Sequence, residues 1–210
     1  MRGYDRDRIA QLEDRLSVAH GSEAARAVAD LEALADLYLQ ADSYMPALKT
    51  IERLLALPGA RALATGRRVA LESKAVACRI AQGDAQGALA HCRELLALEG
   101  QLEADQGLAA APLRARLHLQ CSEALFRLAR FSECREHAQR GLGFADERGD
   151  LPLAAQGLNL LGRVAYREGD LARARDLYEQ ALALYRRVGD ELSAAYVRNN
   201  IGLIHKNLCE

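Results

Sequence analysis

The chain has 210 residues, of which 50% are hydrophobic and 27% are charged, and its 28 basic and 29 acidic residues give a net charge of −1. A nearly neutral chain lacks the basic surplus that nucleic-acid-binding proteins use against phosphates, so direct contact with nucleic acid is not expected. No apolar run approaches the roughly 20 residues of a membrane-spanning helix, and five cysteines without a CxxC pair suit a reducing compartment, so the sequence predicts a cytoplasmic protein without membrane contact.

The amino-terminal part predicts a single helix followed by a helical hairpin. Ile9, Leu12 and Leu16 recur on one face of a charged stretch, which is typical of a short amphipathic helix. We expect this helix to cap the fold over residues 1–21. A pair of helices separated by a short turn is predicted next, over residues 22–60.

Three further hairpins and one unpaired helix are predicted along the rest of the chain. The hairpins are expected over residues 66–99, 109–148 and 150–188, and residues 190–210 are expected to form the first helix of a fifth, incomplete repeat. The segment 99–108 is polar and is predicted to be a longer connection.

One spacing recurs in all four hairpins and indicates a repeat protein. In each copy a position in the first helix is followed by two positions in the second helix, twelve and then seven residues further on, and most of these residues are small. Two antiparallel helices approach closely only where side chains are small, so these positions are predicted to lie at the contact within each hairpin. Because the copies recur every 40 to 46 residues, the hairpins are expected to stack. The triplets are Ala35, Ala47 and Leu54; Val76, Ala88 and Leu95; Ser122, Cys134 and Gly141; and Gly162, Ala174 and Ala181.

The clearest copy resembles a known repeat. Between Ala155 and Val188 it reads as a helix, a Gly-Asp turn at residues 169–170 and a second helix, because glycine can end one helix and aspartate can cap the next. Here the chain resembles the tetratricopeptide repeat family, of the kind with repeats of about 40 residues found in bacterial multidomain regulators. The resemblance is weakest in the degenerate hairpin 66–99. It is carried by Leu161, Gly162, Tyr166, Gly169, Ala174, Tyr178 and Ala181.

The resemblance implies an all-α fold, a right-handed α-solenoid of stacked antiparallel helical hairpins, and a non-catalytic module that binds a protein or peptide in a concave groove lined by the first helices. Asn159 and Asn199 fall at one repeat position, 40 residues apart, where asparagines of the family clamp the backbone of an extended peptide.

Arginines on the same face favour an acidic or carboxylate-ended peptide. Reversing the charge of Arg163 is expected to weaken the binding of such a peptide without unfolding the chain. The alternative is that these arginines are ordinary solvated surface. Of the tyrosines, those outside the groove, including Tyr178, are expected to pack. The predicted groove residues are Asn159, Arg163, Tyr166, Arg167, Tyr196, Asn199, Lys206, Arg116 and Arg127.

Four residues have the spacing of zinc ligands, although packing explains them better. His118, Cys121, Cys134 and His137 read as HxxC and CxxH on the two helices of one hairpin, and such side chains on facing helices can surround zinc. Cys121 and Cys134 occupy packing positions, however, and His137 should point away from the hairpin contact by its repeat phase. We therefore expect neither a metal nor another cofactor. The sequence contains no Gly-rich phosphate loop, HExxH or GxSxG, so no enzyme activity is expected.

The last predicted helix leaves two functions open. Val197, Ile201, Ile204 and Leu208 form an apolar stripe with no following helix to cover it, so self-association through this helix is expected. The same stripe favours a chain that is part of a longer protein. The chain is therefore expected to be either a module that binds a protein or peptide, or an amino-terminal sensory or regulatory arm of a larger bacterial signalling or transcription-regulating protein.

Overall fold

Eleven α-helices and two short 3-10 helices make up the part of the chain that the computed structural model describes, residues 3–18 and 24–209. Within those ranges there is no strand, and no helix is both long and apolar enough to cross a membrane. The all-α fold class predicted from the sequence is confirmed. The α-helices are α1 (Gly3–Val18), α2 (Ala24–Gln40), α3 (Tyr44–Ala56), α4 (Thr65–Ala81), α5 (Ala85–Leu96), α6 (Glu99–Gln106), α7 (Ala111–Arg127), α8 (Phe131–Arg148), α9 (Leu151–Arg167), α10 (Leu171–Val188) and α11 (Glu191–Cys209), and the 3-10 helices are Pro58–Ala62 and Gly107–Ala110.

Two compact units divide the chain, Met1–Gly87 and Ala88–Glu210. In the first unit α2 and α3 pack as a hairpin, and α1 packs on α2. Leu12 of α1 is buried with Leu31 of α2, as expected from its position on the apolar face of the amino-terminal helix. The side chain of Leu16, which was predicted on the same face, lies outside the described residues.

Helix α6 occupies a segment that was predicted to be a connection. Glu99–Gln106 is helical, and its Leu102 is fully buried. Arg114 of α7 adds an ion pair, with its Nε 2.9 Å from Oε1 of Glu99. The prediction of a connection is wrong because a single buried leucine among 8 residues provides no apolar periodicity.

The two hairpins of the second unit, α7 with α8 and α9 with α10, meet at small residues. A Cβ atom added at Gly162 would lie 2.7 Å from Cδ1 of Tyr178, and one added at Gly141 would lie 2.8 Å from Cγ of Leu119. Neither distance leaves room for a side chain, so glycine is what allows the helices to approach this closely. The contact positions predicted from the spacing are confirmed at these two glycines.

Glycine-aspartate turns separate the helices from α8 onward. The φ angles of Gly149, Gly169 and Gly189 are 63°, 82° and 73°, in the left-handed region where a residue with a Cβ atom is strained. The aspartate after each glycine caps the next helix, because its carboxylate accepts a hydrogen bond from a main-chain N–H three residues further on. The donors are Leu153 for Asp150, Arg173 for Asp170 and Ser193 for Asp190.

Removing the cap at Asp190 is expected to destabilise the chain in a pH-dependent way. The N–H of Ser193 donates to the Asp190 carboxylate and holds the pKa of Asp190 below its ordinary range. Since the folded pKa is the lower one, the stabilisation is present at neutral pH and is lost as the pH falls through that value, below about 4. Asp190→Ala should lower the free energy of unfolding by about 1 kcal/mol at pH 7, as measured by urea unfolding, and the difference should shrink between about pH 5 and pH 3.

Asp190→Asn is the matched control, because asparagine also caps helices and does not titrate in this range. It should stay close to the parent at pH 7. A loss for Asp190→Ala that is equally large at both ends of the pH range would contradict the proposed role of the carboxylate.

The carboxyl-terminal helix α11 packs by residues that were predicted to be exposed. Val197 and Ile204 are fully buried in a core that also contains Tyr178, and Ile201 is half-buried against it. The predicted exposed stripe is wrong for Val197 and Ile204, because α11 turns this face toward the preceding helix α10. The side chain of Leu208 lies outside the described residues. Val197 and Ile204 are therefore covered within the chain and are not available for self-association.

Candidate partner-binding surface

The predicted groove residues lie on helices α7, α9 and α11 of the second unit. Helices α7 and α9 are in direct contact, and a common core joins α9, α10 and α11. We refer to the side chains of α7, α9 and α11 on the predicted groove face as the first-helix surface. Its members are Arg116, Glu123, Phe126 and Arg127 of α7; Asn159, Arg163, Tyr166 and Arg167 of α9; and Tyr196, Asn199, Leu203 and Lys206 of α11.

Arg163 is held between α7 and α9 by an acidic and an aromatic side chain. Its Nη1 lies 2.5 Å from Oε2 of Glu123, and its Cζ lies 4.0 Å from the centroid of the Phe126 ring. Only 18% of the Arg163 side chain and 17% of the Glu123 side chain are exposed. A charge-assisted hydrogen bond and a cation–π contact thus fix one guanidinium group. Arg163 connects two first helices, and its charge is balanced within the chain.

The other arginines leave this part of the surface with a positive balance. Arg127 shares the same carboxylate, with its Nε 3.0 Å from Oε1 of Glu123. Arg167 is exposed, and its Cζ lies 6.0 Å from the centroid of the Phe126 ring. Arg116 is exposed on α7. Arg116 and Arg167 are therefore the arginines best placed to meet an acidic partner.

Asn159 and Asn199 occupy equivalent positions in different environments. Asn159 is half-buried, and its Oδ1 is buried without a hydrogen-bond partner in the described ranges, whereas Asn199 is exposed. Asn200, which sequence reasoning missed, also has a buried unpartnered atom, Nδ2. Its equivalent in α9 is the buried Leu160, so an asparagine at a core position was the available signal. Buried amide atoms are nearly always hydrogen-bonded, so an unpartnered amide atom is unusual at both positions.

Tyr178 approaches the first-helix surface from the second helix α10. Its side chain is buried and its ring packs on Gly162. Burial raises the pKa of Tyr178 above its ordinary range, Arg163 lowers it, and Tyr196 and Tyr166 raise it. The hydroxyl therefore lies near three members of the first-helix surface. Tyr178 was expected to serve packing, and periodicity alone does not reveal where a hydroxyl lies.

The part of the surface on α11 is largely apolar. Tyr196 is 52% exposed and Leu203 is 45% exposed. Leu203 stands at the repeat position of Glu123 and Arg163, 40 residues after Arg163. The ion pair that joins α7 to α9 therefore has no counterpart at this position of α11. Lys206, one turn further on, is exposed.

Two of the four potential zinc ligands face each other across the α7–α8 hairpin. The Nδ1 atoms of His118 and His137 are 2.9 Å apart. The expectation that His137 points away from the hairpin contact is therefore wrong, because the buried imidazole of His118 needs a hydrogen-bond partner and His137 provides it. Burial lowers the pKa of His118 to about 4, and the nearby carboxylate of Glu99 opposes the shift.

The two cysteines of that set have separate partners. The Sγ of Cys134 lies 3.2 Å from Oγ of Ser122, and this hydroxyl donates to the main-chain oxygen of Cys134. The pKa of the Cys121 thiol is lowered by the neighbouring thiol of Cys92, which was not a predicted candidate, and by the side chain of His137, against the effect of burial. Over the part of the chain that the structure describes, no group of three or more His, Cys, Asp or Glu side chains is arranged to hold a metal ion.

The sequence of the second unit matches a known family. The family model described as tetratricopeptide repeat matches residues 113–187 and 153–206, a region that runs from the start of α7 to the end of α11. No curated protein sequence matches the chain.

Solved structures share the fold at low sequence identity. BtubC (BKLC) from P. vanneervenii is 16% identical with a TM-score of 0.64, over 99% of this chain and 93% of that chain. A Podosopora anserina putative kinesin light chain with nearly identical TPR-like repeats is 16% identical with a TM-score of 0.57, over 90% of this chain and 99% of that chain. A Rap protein complexed with Competence and Sporulation Factor is 16% identical with a TM-score of 0.58, over 98% of this chain and 72% of that chain. At such identity the likeness establishes the fold alone, which is TPR-like.

Proposed function

We propose that this chain, which belongs to the tetratricopeptide repeat family through residues 113–206, is a non-catalytic module that binds an extended segment of a partner protein on its first-helix surface. Repeats of this family generally serve protein interaction. The likeness to a Rap protein complexed with Competence and Sporulation Factor supports the proposal, because a similar fold there holds a bound factor.

The observation that carries the proposal is the pair of equivalent asparagines. Asn159 has a buried amide oxygen without a hydrogen-bond partner among the described residues, and Asn199 presents its amide to solvent at the same position of α11. An amide can donate to a main-chain carbonyl and accept from a main-chain N–H, so two amides in register can hold an extended backbone. In an extended segment the main-chain N–H and C=O groups are free to form hydrogen bonds, whereas in a folded helix they already bond each other.

The charge of the surface supports an acidic partner. Glu123 is the carboxylate that balances Arg163 and Arg127, while Arg167 and Arg116 remain exposed. An acidic side chain or a free carboxyl terminus of the partner would meet these two guanidinium groups.

Replacing both asparagines is expected to weaken binding at least tenfold, because two main-chain contacts are lost. The probe is a peptide selected on the immobilised chain from a random library of about 12 residues, long enough when extended to cross three first helices. Its affinity for the parent and for Asn159→Ala with Asn199→Ala is measured by fluorescence anisotropy.

The matched control removes two amides from the second helices. Gln139 of α8 and Gln180 of α10 are exposed, and Gln139→Ala with Gln180→Ala should bind the peptide as the parent does. Thermal unfolding of both double variants separates lost contacts from lost stability. Equal affinity of the asparagine variant and the parent would place binding elsewhere and reject the proposed surface.

A second candidate function is a sensory or regulatory arm of a larger bacterial protein. The likeness to a Rap protein that holds a factor favours it, because binding of a factor is what such an arm requires. The two functions differ in the consequence of binding. If the chain is an arm, deleting residues 1–210 from the full gene product changes the activity of the attached domain, and the double asparagine variant makes that activity insensitive to the bound segment.

A further inference from the structure

Exposed apolar side chains are concentrated on α11. Five large hydrophobic side chains are exposed over the described residues, and three of them, Leu192, Tyr196 and Leu203, belong to this helix. Steps of four and seven residues place these three on one helix face, which also includes Asn199. We call these four residues the α11 stripe.

The first-helix surface changes character between α9 and α11. At one repeat position, α7 and α9 carry Glu123 and Arg163, which pair with each other, and α11 carries Leu203. A segment that crosses from α9 to α11 therefore passes from paired charges to an exposed leucine. An apolar side chain of that segment would remove the leucine from water and be removed from water itself.

A hydroxyl without a hydrogen-bond partner lies close to the α11 stripe, on a side chain that is almost fully buried. Tyr178 is 2% exposed, and its hydroxyl makes no hydrogen bond within residues 3–18 and 24–209. Tyr178 shares a core with Val197, the residue after Tyr196. A hydroxyl without a partner in its own chain can donate a hydrogen bond to a main-chain carbonyl of a bound segment.

We infer that the segment bound on the first-helix surface carries a large aliphatic or aromatic side chain that packs on the α11 stripe between Tyr196 and Leu203. The Tyr178 hydroxyl hydrogen-bonds the main chain beside that side chain, and the Asn199 amide holds the backbone. The inference rests on the proposed function, because it names the chemistry of one side chain of the same segment.

An extended segment suits this place better than a second copy of the chain. Asn199 lies within the stripe and exposes its amide, and the Tyr178 hydroxyl lies beside it, so both can hydrogen-bond the main chain of a bound segment. The helices of a second copy have already used their main-chain groups, whereas an extended segment offers them. The stripe is therefore matched to a segment that has one apolar side chain and whose main-chain N–H and C=O groups are free to form hydrogen bonds.

The test uses the peptides selected from the random library, with the full chain as the binding partner. We expect these peptides to share one Leu, Ile, Met, Phe or Tyr. Leu203→Ser should weaken binding at least tenfold, and Tyr178→Phe should weaken it about threefold to tenfold without changing the unfolding temperature. Val188→Ser, which removes an exposed apolar side chain at the end of α10, is the control and should leave the affinity unchanged.

A double-mutant cycle identifies the contact directly. Replacing the shared apolar residue of the peptide by alanine should weaken binding to the parent at least tenfold, and should have little further effect on Leu203→Ser. Peptides that lose affinity for the asparagine variant but not for Leu203→Ser would overturn the inference and leave the proposed function standing. Affinity that neither variant changes, or a library that yields no binding peptide, would overturn both. If Leu203→Ser instead abolishes a dimer seen by analytical ultracentrifugation, the stripe is an interface between copies, and the inference is overturned.

Discussion

Arg163→Glu is expected to lower the free energy of unfolding by about 2–4 kcal/mol. The change places a second carboxylate beside Glu123, where both side chains are mostly buried, and it removes the contact with the Phe126 ring. Attraction becomes repulsion at a separation of a few ångströms, with little solvent to screen it. Urea unfolding followed by circular dichroism measures the loss.

The matched control is Glu123→Arg combined with Arg163→Glu, which reverses the pair. It should recover about half of the loss, because the attraction returns while the ring contact does not and the reversed pair meets Arg127. A single variant as stable as the parent would show that the ion pair contributes nothing. The structure also changes the use of this substitution, since a reversal at Arg163 affects stability as well as binding. Arg167, exposed beside the same ring, is the better position at which to test an acidic partner.

Gly162→Ala is expected to lower the free energy of unfolding by about 1–3 kcal/mol, although alanine favours helix formation. The added Cβ would lie 2.7 Å from Cδ1 and 2.8 Å from Cε1 of Tyr178. That ring is buried in the core, so the ring or helix α10 must move. Urea unfolding gives the loss, and near-UV circular dichroism reports whether the tyrosine environment has changed.

Gly202→Ala is the control at the equivalent position of α11. Nothing lies within 4 Å of a Cβ added there, so this change should stabilise the chain by about 0.5–1 kcal/mol through helix propensity. Opposite signs at two equivalent glycines would isolate the effect of close approach. The same sign at both positions would mean that the Tyr178 contact does not limit residue 162.

The hairpins of the second unit were predictable because their signals are local or strictly periodic. Gly169 and Asp170 place a helix end and a helix start in adjacent residues. Gly162 belongs to a spacing that close packing of two helices explains. Such signals do not depend on which other element packs against them. Leu102 was a weaker signal, and α6 was missed for that reason.

The orientation of some side chains could not be predicted, because the position of a residue within the repeat does not indicate which neighbouring residue it contacts. His137 turns toward His118 because a buried imidazole requires a hydrogen bond. Val197 and Ile204 pack on the preceding helix, whereas their apolar pattern would serve a following helix equally well. Periodicity identifies an apolar face and leaves open which neighbour covers it.

On the candidate surface, the sequence indicated the helices and their faces but not the pairing. Opposite charges at Glu123 and Arg163, 40 residues apart, were the available signal for the ion pair. The buried amide oxygen of Asn159 and the position of the Tyr178 hydroxyl had no comparable signal, because both depend on how other helices pack around them. These atoms are nevertheless the ones that the proposed binding uses.

The junctions at the two ends of the α9–α10 hairpin are alike. Gly149 and Gly189 have φ of 63° and 73°, and the aspartate after each caps the next helix. A segment whose two ends have the same backbone conformation can be duplicated in a gene without changing the residues at either junction. Residues 150–189 are in this sense a 40-residue cassette. Each inserted copy would lengthen the protein by one hairpin and add one asparagine equivalent to Asn159, so the reach of the binding surface is an adjustable property of this chain.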